Sequence, residues 1–280
     1  MVRKSIVTCG LLLLLSALHA WCVEPSANSQ PQAAPVEIIA HRGASFDAPE
    51  NTLAALRLGF EQGSDACELD VWVSQDGVPV VIHDGDTKRV AGVNRKVADQ
   101  TWAELKQHDV GFWKDKRFSE ERIPRLVDAL AVVPPGKRMF VEIKCDEQGL
   151  PAILADIEQA KLEPAQTVII SFHAPVIAAA KKARPDLSAY WIVSLKNDQK
   201  QAPAIDKLVA KAVALQADGL NLSDSPLIDQ QARDLIQQAD LGFYVWTVDD
   251  ADAAKRLVNL PVQGITTNRP GWLRSKLELK

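Results

Sequence analysis

The chain has 280 residues, a formal net charge of −4 and 47% hydrophobic residues, enough apolar material to fill the core of one large domain. Acids and bases are interspersed, so no basic stripe marks a nucleic-acid surface, and no second long apolar run follows the one at the N-terminus. The four cysteines and five histidines show no zinc-type spacing, which argues against a structural zinc module.

Residues 1–22 read as a secretory signal. Arg3 and Lys4 are basic, and Ile6 to Ala17 is an apolar run centred on Leu11–Leu15, short for a bilayer span. Cleavage after Ala20 is the expectation, and bulky Trp21 argues against a lipid anchor on Cys22. Residues 23–35, rich in Pro, Ser, Ala, Asn and Gln, cannot bury a core and read as a flexible leader. Export follows, to the periplasm if the source is Gram-negative. Cys9 and Cys22 would leave with the signal. Cys67 and Cys145 stay, and strand alternation turns both away from their acidic neighbours. Two free buried thiols are the expectation, with a disulfide between them as the alternative.

Residues 36–280 alternate strand-like runs with helical periodicity, which predicts a parallel α/β fold in one domain. The predicted strands are 36–40, 66–73, 78–82, 139–144, 167–172, 188–193, 218–222, 242–247 and 263–266. Helix starts are predicted at Thr101 (a capping box with Glu104), at His173-Ala174-Pro175 and at Ser225-Pro226. Nine runs are one more than an eightfold barrel takes. The irregularity is placed at 66–82, where Gln75-Asp76-Gly77 leaves no room for a helix; either a hairpin forms there or one crossover lacks its helix. Residues 85–125 hold no convincing strand and read as an insertion over the active face of a barrel. Most of its aromatics (Trp102, Phe112, Trp113 and Phe118) are expected to pack the insertion down.

The segment from His41 to Asp84 carries the chemistry. Glu68 and Asp70 share one face of a strand by alternation, as do Glu142 and Lys144. Neighbouring carboxylates repel unless a cation joins them, and an all-oxygen set suits Ca²⁺ or Mg²⁺. His41 and His83 each end an apolar run and form a general acid and base pair. Arg42 offers a fork suited to phosphate. Glu50 precedes Asn51-Thr52 at a helix start; it either orients Arg42 or the metal shell, or merely favours the helix dipole.

The ordered set His41-Arg42-Gly43, Glu50-Asn51-Thr52, Glu68-Leu69-Asp70-Val71 and Asp76-Gly77-Val78-Pro79-Val80-Val81-Ile82-His83-Asp84 resembles the glycerophosphodiester phosphodiesterase family. The likeness continues through Phe140 to Lys144, Ile170-Ser171-Phe172, Val245-Trp246-Thr247-Val248 and Gly264 to Pro270, covering about residues 36–272. It implies an imperfect (β/α)8 TIM barrel with a small cap-like insertion after the third strand run. It also implies hydrolysis of glycerophosphodiesters to sn-glycerol 3-phosphate and an alcohol, with internal attack by a glycerol hydroxyl through a cyclic phosphate. Within it, His41 and His83 are the expected catalytic pair. Glu68, Asp70 and Glu142 are the expected ligands of a divalent cation, Ca²⁺ favoured and Mg²⁺ the alternative. Arg42, Glu50, Lys144 and Trp246 are the expected substrate-side residues. The family often has Asn and Asp where this chain has Asp249 and Asn268; these departures are expected to bear on substrate fit at most. Two other readings stay open: a related barrel acting on lysolipids or lipid head groups, and a protein that binds in the same pocket without turnover. The expected partner is a small-molecule diester, with no nucleic acid and no stable membrane insertion. The sequence leaves the oligomeric state open.

Overall fold

A computed structural model describes residue 1 and residues 36–195, 204–260 and 262–279. Beyond Met1, the expected signal and leader lie outside the described residues. The strands are β1 (Glu37–Ala40), β2 (Ala66–Val73), β3 (Pro79–Val81), β4 (Arg138–Ile143), β5 (Thr167–Ser171), β6 (Ser188–Val193), β7 (Gly219–Ser223), β8 (Gly242–Trp246) and β9 (Gly264–Thr267). The helices are α1 (Leu53–Glu61), α2 (Lys88–Ala91), α3 (Trp102–Leu105), α4 (Leu126–Leu130), α5 (Leu150–Ala160), α6 (Ala174–Ala183), α7 (Ile205–Ala214), α8 (Gln230–Gln238), α9 (Ala251–Asn259) and α10 (Pro270–Lys276).

Eight parallel strands close into a barrel. The order runs from β1 through β9, β8, β7, β6, β5 and β4 to β2, and β1 also pairs with β2 through Ile39↔Ala66. This is the TIM-barrel architecture. The ninth run is the hairpin alternative: β3 pairs antiparallel to the end of β2, Val71↔Val81, and stays outside the ring.

Alternation sorts each strand between two cores. Outward residues such as Ile38, Leu69, Val141 and Ile169 pack under the helices. Inward residues Ile39, Phe140, Val168, Ile170, Tyr190 and Tyr244 fill the barrel. Tyr190 stacks on Tyr244 at 4.9 Å between centroids, and Phe140 meets Tyr244 at 5.4 Å. Burying one such side chain stabilises the fold by about 1.5–3 kcal/mol. Gly264 makes the ring packing feasible, since a Cβ there would lie 2.5 Å from Tyr244. With the floor closed by apolar rings, polar inward residues are left only towards the two ends.

The insertion folds on its own small core, in which Val80, Val90, Val97, Leu105, Val110 and Ile123 are buried with Trp72 and Trp102 against them. The capping box of Thr101 and Glu104 forms and starts α3. The aromatics divide: Trp102 packs, while Phe112 and Trp113 stand in solvent, contrary to the expectation for most of them. Ser225-Pro226 does not start a helix either. Ser225 Oγ accepts from the N–H of Leu227 in a local turn, and α8 begins five residues later under Asp229, whose carboxylate accepts from Ala232 N. His173 does cap α6, with proline in its first turn.

Candidate active site

The C-terminal ends of the barrel strands converge on one cavity of about 190 Å³, lined by His41, Arg42, Glu68, His83, Glu142, Lys144, Phe172, Asn221 and Trp246 among others. Asp70 lies directly behind it, 1% exposed. Glu50 does not line it. Both its oxygens are taken by arginines, Arg42 at 2.9 Å and Arg89 at 2.8 Å on each oxygen, and α1 is capped by Thr52 instead. Glu50 is therefore held by Arg42 and Arg89, and it stands two residues before the Thr52 cap, outside the first turn of α1.

The turn after β1 is built to aim Arg42. Arg42 and Gly43 both have positive φ, 55° and 77°. A Cβ at Gly43 would come within 2.4 Å of the Ala55 backbone, so glycine lets the turn pack against α1. The unusual Arg42 backbone is held by its own N–H, which donates to Glu68 Oε2 at 2.8 Å. Its guanidinium spans Glu50 at 2.9 Å and Asp70 at 3.2 Å. Asn51, also at positive φ, donates from Nδ2 to Asp70 Oδ2 at 2.8 Å and accepts from Asp70 N at 3.1 Å. Asn51 and Arg89 are functional neighbours that strand reasoning missed. Asn51 stands inside a motif whose acid drew the attention, and Arg89 sits on the insertion.

Glu68, Asp70 and Glu142 each offer an oxygen within 4.8 Å of the others, all buried. Lys144 pairs with Glu142 at 2.7 Å and Asp70 at 3.3 Å. Glu68 Oε1 is buried with no hydrogen-bond partner. Burial and the like charges of Asp70 and Glu142 push the Glu68 carboxyl well above the usual range. Burial and Asp70 push Glu142 up to about 7. Burial acts on Asp70 too, but Arg42, Lys144 and His83 outweigh it and hold Asp70 low. Crowded buried carboxylates with an unpartnered oxygen are what a hard divalent cation resolves, so the donor set fits Ca²⁺ or Mg²⁺.

The histidines are held differently. His83 Nδ1 meets Asp84 Oδ1 at 2.7 Å, and Asp84 is fixed by Arg89 at 2.6 Å. Asp84 is held ionised: burial pushes it up, but the bonds from Arg89 and His83 outweigh it. His41 Nδ1 meets Asn268 Oδ1 at 2.7 Å. Asp249 accepts from the Asn268 backbone N–H at 2.8 Å and from its Nδ2, so the amide oxygen faces the imidazole. His41 Nδ1 then carries the proton and Nε2 keeps its lone pair. Burial, helped by Arg42 and opposed by the Asn268 bond, lowers His41 to about 4. Asp249 and Asn268, expected to touch substrate fit at most, stand behind His41 instead. Exchanging the pair, Asp249→Asn with Asn268→Asp, keeps one amide and one carboxylate but puts the charge on the imidazole. His41 should then titrate at least about one pH unit higher, read by NMR of its ring protons.

Trp246 lines the cavity edge-on to Phe172, centroids 5.4 Å apart, its Nε1 donating to Asn221 O at 3.0 Å. Cys67 and Cys145 are free thiols. Cys67 Sγ points towards Leu56 O of α1, away from the cavity.

An eight-stranded α/β barrel with histidines, an arginine, a lysine and a buried acidic triad at its mouth defines a phosphoric diester hydrolase. Residues 41–272 match the glycerophosphoryl diester phosphodiesterase family, and the chain belongs to that family. A glycerophosphodiester phosphodiesterase of Caldanaerobacter subterraneus subsp. tengcongensis is 31% identical over 242 residues, 84% of this chain and 95% of the relative. A phosphodiesterase from Oleispira antarctica, solved with the product sn-glycerol-3-phosphate, superposes with a TM-score of 0.77 at 29% identity, covering 86% of this chain and 96% of that one. The glycerophosphodiester phosphodiesterase of Agrobacterium tumefaciens gives 0.72 at 25% identity, covering 86% and 100%.

Proposed function

We propose that the chain hydrolyses glycerophosphodiesters to sn-glycerol 3-phosphate and an alcohol by cation-dependent, two-histidine acid–base catalysis, outside the cytoplasm. The observation that carries this reading is the joint placement of His41, His83, Arg42, Lys144, Glu68 and Glu142 around one cavity. The product bound by the Oleispira relative supports the substrate class. The basic and apolar N-terminal run supports export.

A divalent cation held by Glu68, Asp70 and Glu142 would supply Lewis-acid polarisation of a phosphoryl oxygen. Arg42 and Lys144 bind the remaining phosphate charge. His41 Nε2, with its lone pair free, takes the proton of the glycerol 2-hydroxyl as that oxygen bonds to phosphorus. The bond from phosphorus to the leaving alcohol breaks, and His83, oriented by Asp84, protonates the departing oxygen. In the second step His83 takes a proton from water, the hydroxide opens the cyclic phosphate, and His41 returns its proton to the glycerol oxygen. Both histidines end as they began.

Stripping the protein with a chelator should abolish turnover of glycerophosphocholine, and adding Ca²⁺ or Mg²⁺ should restore it. Full activity in the stripped protein would overturn the cation requirement. Stability gives a second readout. Without a cation, Glu142 is raised to about 7 from 4.5 and Glu68 is raised too, so each contributes stability that is lost as pH climbs through its folded value. His41, lowered to about 4 from 6.5, acts oppositely, and its contribution is complete above pH 6.5. Between 4.5 and 6.5 the two effects oppose each other; above 6.5 the carboxylates act alone. The Tm of the stripped protein should therefore fall from pH 6.5 to about 8, and added cation should remove that fall.

A further inference from the structure

Asn221 is a polar side chain of the cavity that the proposed reaction does not use. It lines the cavity and is 3% exposed. Its Oδ1 is buried with no hydrogen-bond partner. Its backbone carbonyl is taken by Trp246 Nε1 at 3.0 Å, which fixes the strand but leaves the side-chain oxygen unmet.

The surroundings do not call for an amide. The neighbours in register are Ile192 on β6 and Tyr244 on β8, both in the apolar filling of the barrel. A leucine of similar shape would suit that layer. A buried amide oxygen without a partner destabilises the fold, and nothing in the protein offsets that cost. A ligand with a hydroxyl group would offset it.

The ring order says which end of the substrate meets Asn221. In the ring of eight strands β7 stands opposite β2, so Asn221 lies across the cavity from the wall that carries Glu68 and Asp70. His41 follows β1, and from there the wall runs through β9 and β8 to β7. His83 follows β3, which pairs with β2 outside the ring. In the proposed reaction the glycerol 2-hydroxyl meets His41 and the leaving alcohol meets His83. The rest of the glycerol therefore extends along β9, β8 and β7, where Thr266, Trp246 and Asn221 line the cavity. Its volume of about 190 Å³ is small beside the roughly 300–1,000 Å³ of pockets that bury drug-sized ligands.

We infer that the Asn221 amide binds the 1-hydroxyl of the glycerol and makes the site specific for diesters of unacylated glycerol. The inference rests on the phosphodiesterase reading above. A hydroxyl both donates and accepts, so it satisfies the amide whichever way its end is turned. A chain on that oxygen removes the donor and drives carbon against the layer of Ile192 and Tyr244. Lysolipids are thereby selected against.

The test crosses enzyme variants with substrates. The parent and Asn221→Leu are assayed in saturating Ca²⁺ on glycerophosphocholine, its 1-deoxy analogue and its 1-O-butyl ether, all of which keep the attacking 2-hydroxyl. The parent should lose at least about tenfold in kcat/KM on each analogue. Asn221→Leu should lose at least about tenfold on glycerophosphocholine yet match the parent on the 1-deoxy analogue, because both deletions remove one hydrogen bond. Its Tm should equal or exceed the parent's, whereas loss of an asparagine needed only for folding would lower it. Asn221→Ala, which adds no bulk, should show the same substrate pattern and carries the comparison if the leucine variant does not fold. Equal kcat/KM of the parent on glycerophosphocholine and the 1-deoxy analogue, or of parent and variants on glycerophosphocholine, would overturn the role of Asn221 and leave the phosphodiesterase reading standing. A parent that turns over none of the three would sink that reading instead. Calorimetry then still decides Asn221: the parent should bind sn-glycerol 3-phosphate at least about tenfold tighter than the 1-deoxy compound, and the variants should bind both alike. Equal binding by the parent would overturn the inference.

Discussion

Replacing His41 or His83 by alanine should each lower kcat on glycerophosphocholine by about 10²–10⁴-fold, the usual loss when a general acid or base is removed. The fold should stay intact. Both side chains stand past strand ends at the cavity, outside the apolar cores, so no large packed volume is lost. Circular dichroism and Tm close to the parent's would separate this result from misfolding. The two variants should also differ. His83 is oriented by Asp84 towards the leaving side in the proposed reading, so His83→Ala should matter least for substrates whose alcohol is a good leaving group. A p-nitrophenyl diester should recover much of the loss in His83→Ala and little in His41→Ala. The same loss for both substrates in both variants would reverse or dissolve the assignment of roles.

The sequence made the barrel legible because its strands are buried on both faces and read as continuous apolar runs. Eight of the nine predicted runs became barrel strands with ends shifted by at most one residue. The ninth is real but antiparallel, and Gln75-Asp76-Gly77 marked the place. The Glu68 and Asp70 pair was legible from parity, since i and i+2 in a strand share a face, whereas Glu142, on another strand, joined it only through the barrel that the family resemblance implied. What stayed hidden depends on contacts between distant segments. Arg89 reaches Glu50 across 39 residues, and Asn268 reaches His41 across 227. No periodicity encodes such a meeting. Asn51 was hidden differently: its positive φ and its two bonds to Asp70 depend on the turn that the β1 and α1 ends make together.

The substrate should also need a free hydroxyl beside the phosphoester. A glycerophosphodiester should turn over faster than its 2-O-methyl or 2-deoxy analogue by several orders of magnitude, because a well-placed internal nucleophile reaches effective concentrations of about 10⁵–10⁸ M. The site offers no substitute nucleophile. An enzyme serine, threonine or cysteine would need a base within hydrogen-bond reach. Among the described residues, none of these bonds to His41 or His83, whose Nδ1 atoms are committed to Asn268 and Asp84. Ser45, the nearest hydroxyl in that network, donates to Asn268 instead. Cys67 points out of the barrel, and burial pushes its thiol up to about 12, far from the reactive thiolate. The nucleophile is then either the substrate's own hydroxyl or water, and in the proposed mechanism His41 Nε2 is the base that activates it. Phosphorus NMR at early times, with saturating cation, distinguishes them. A transient cyclic phosphate with the glycerol substrate, and a stalled analogue, are the expected results. Equal rates for substrate and analogue, with no cyclic species, would mean that water attacks directly and that the histidines keep one role each throughout.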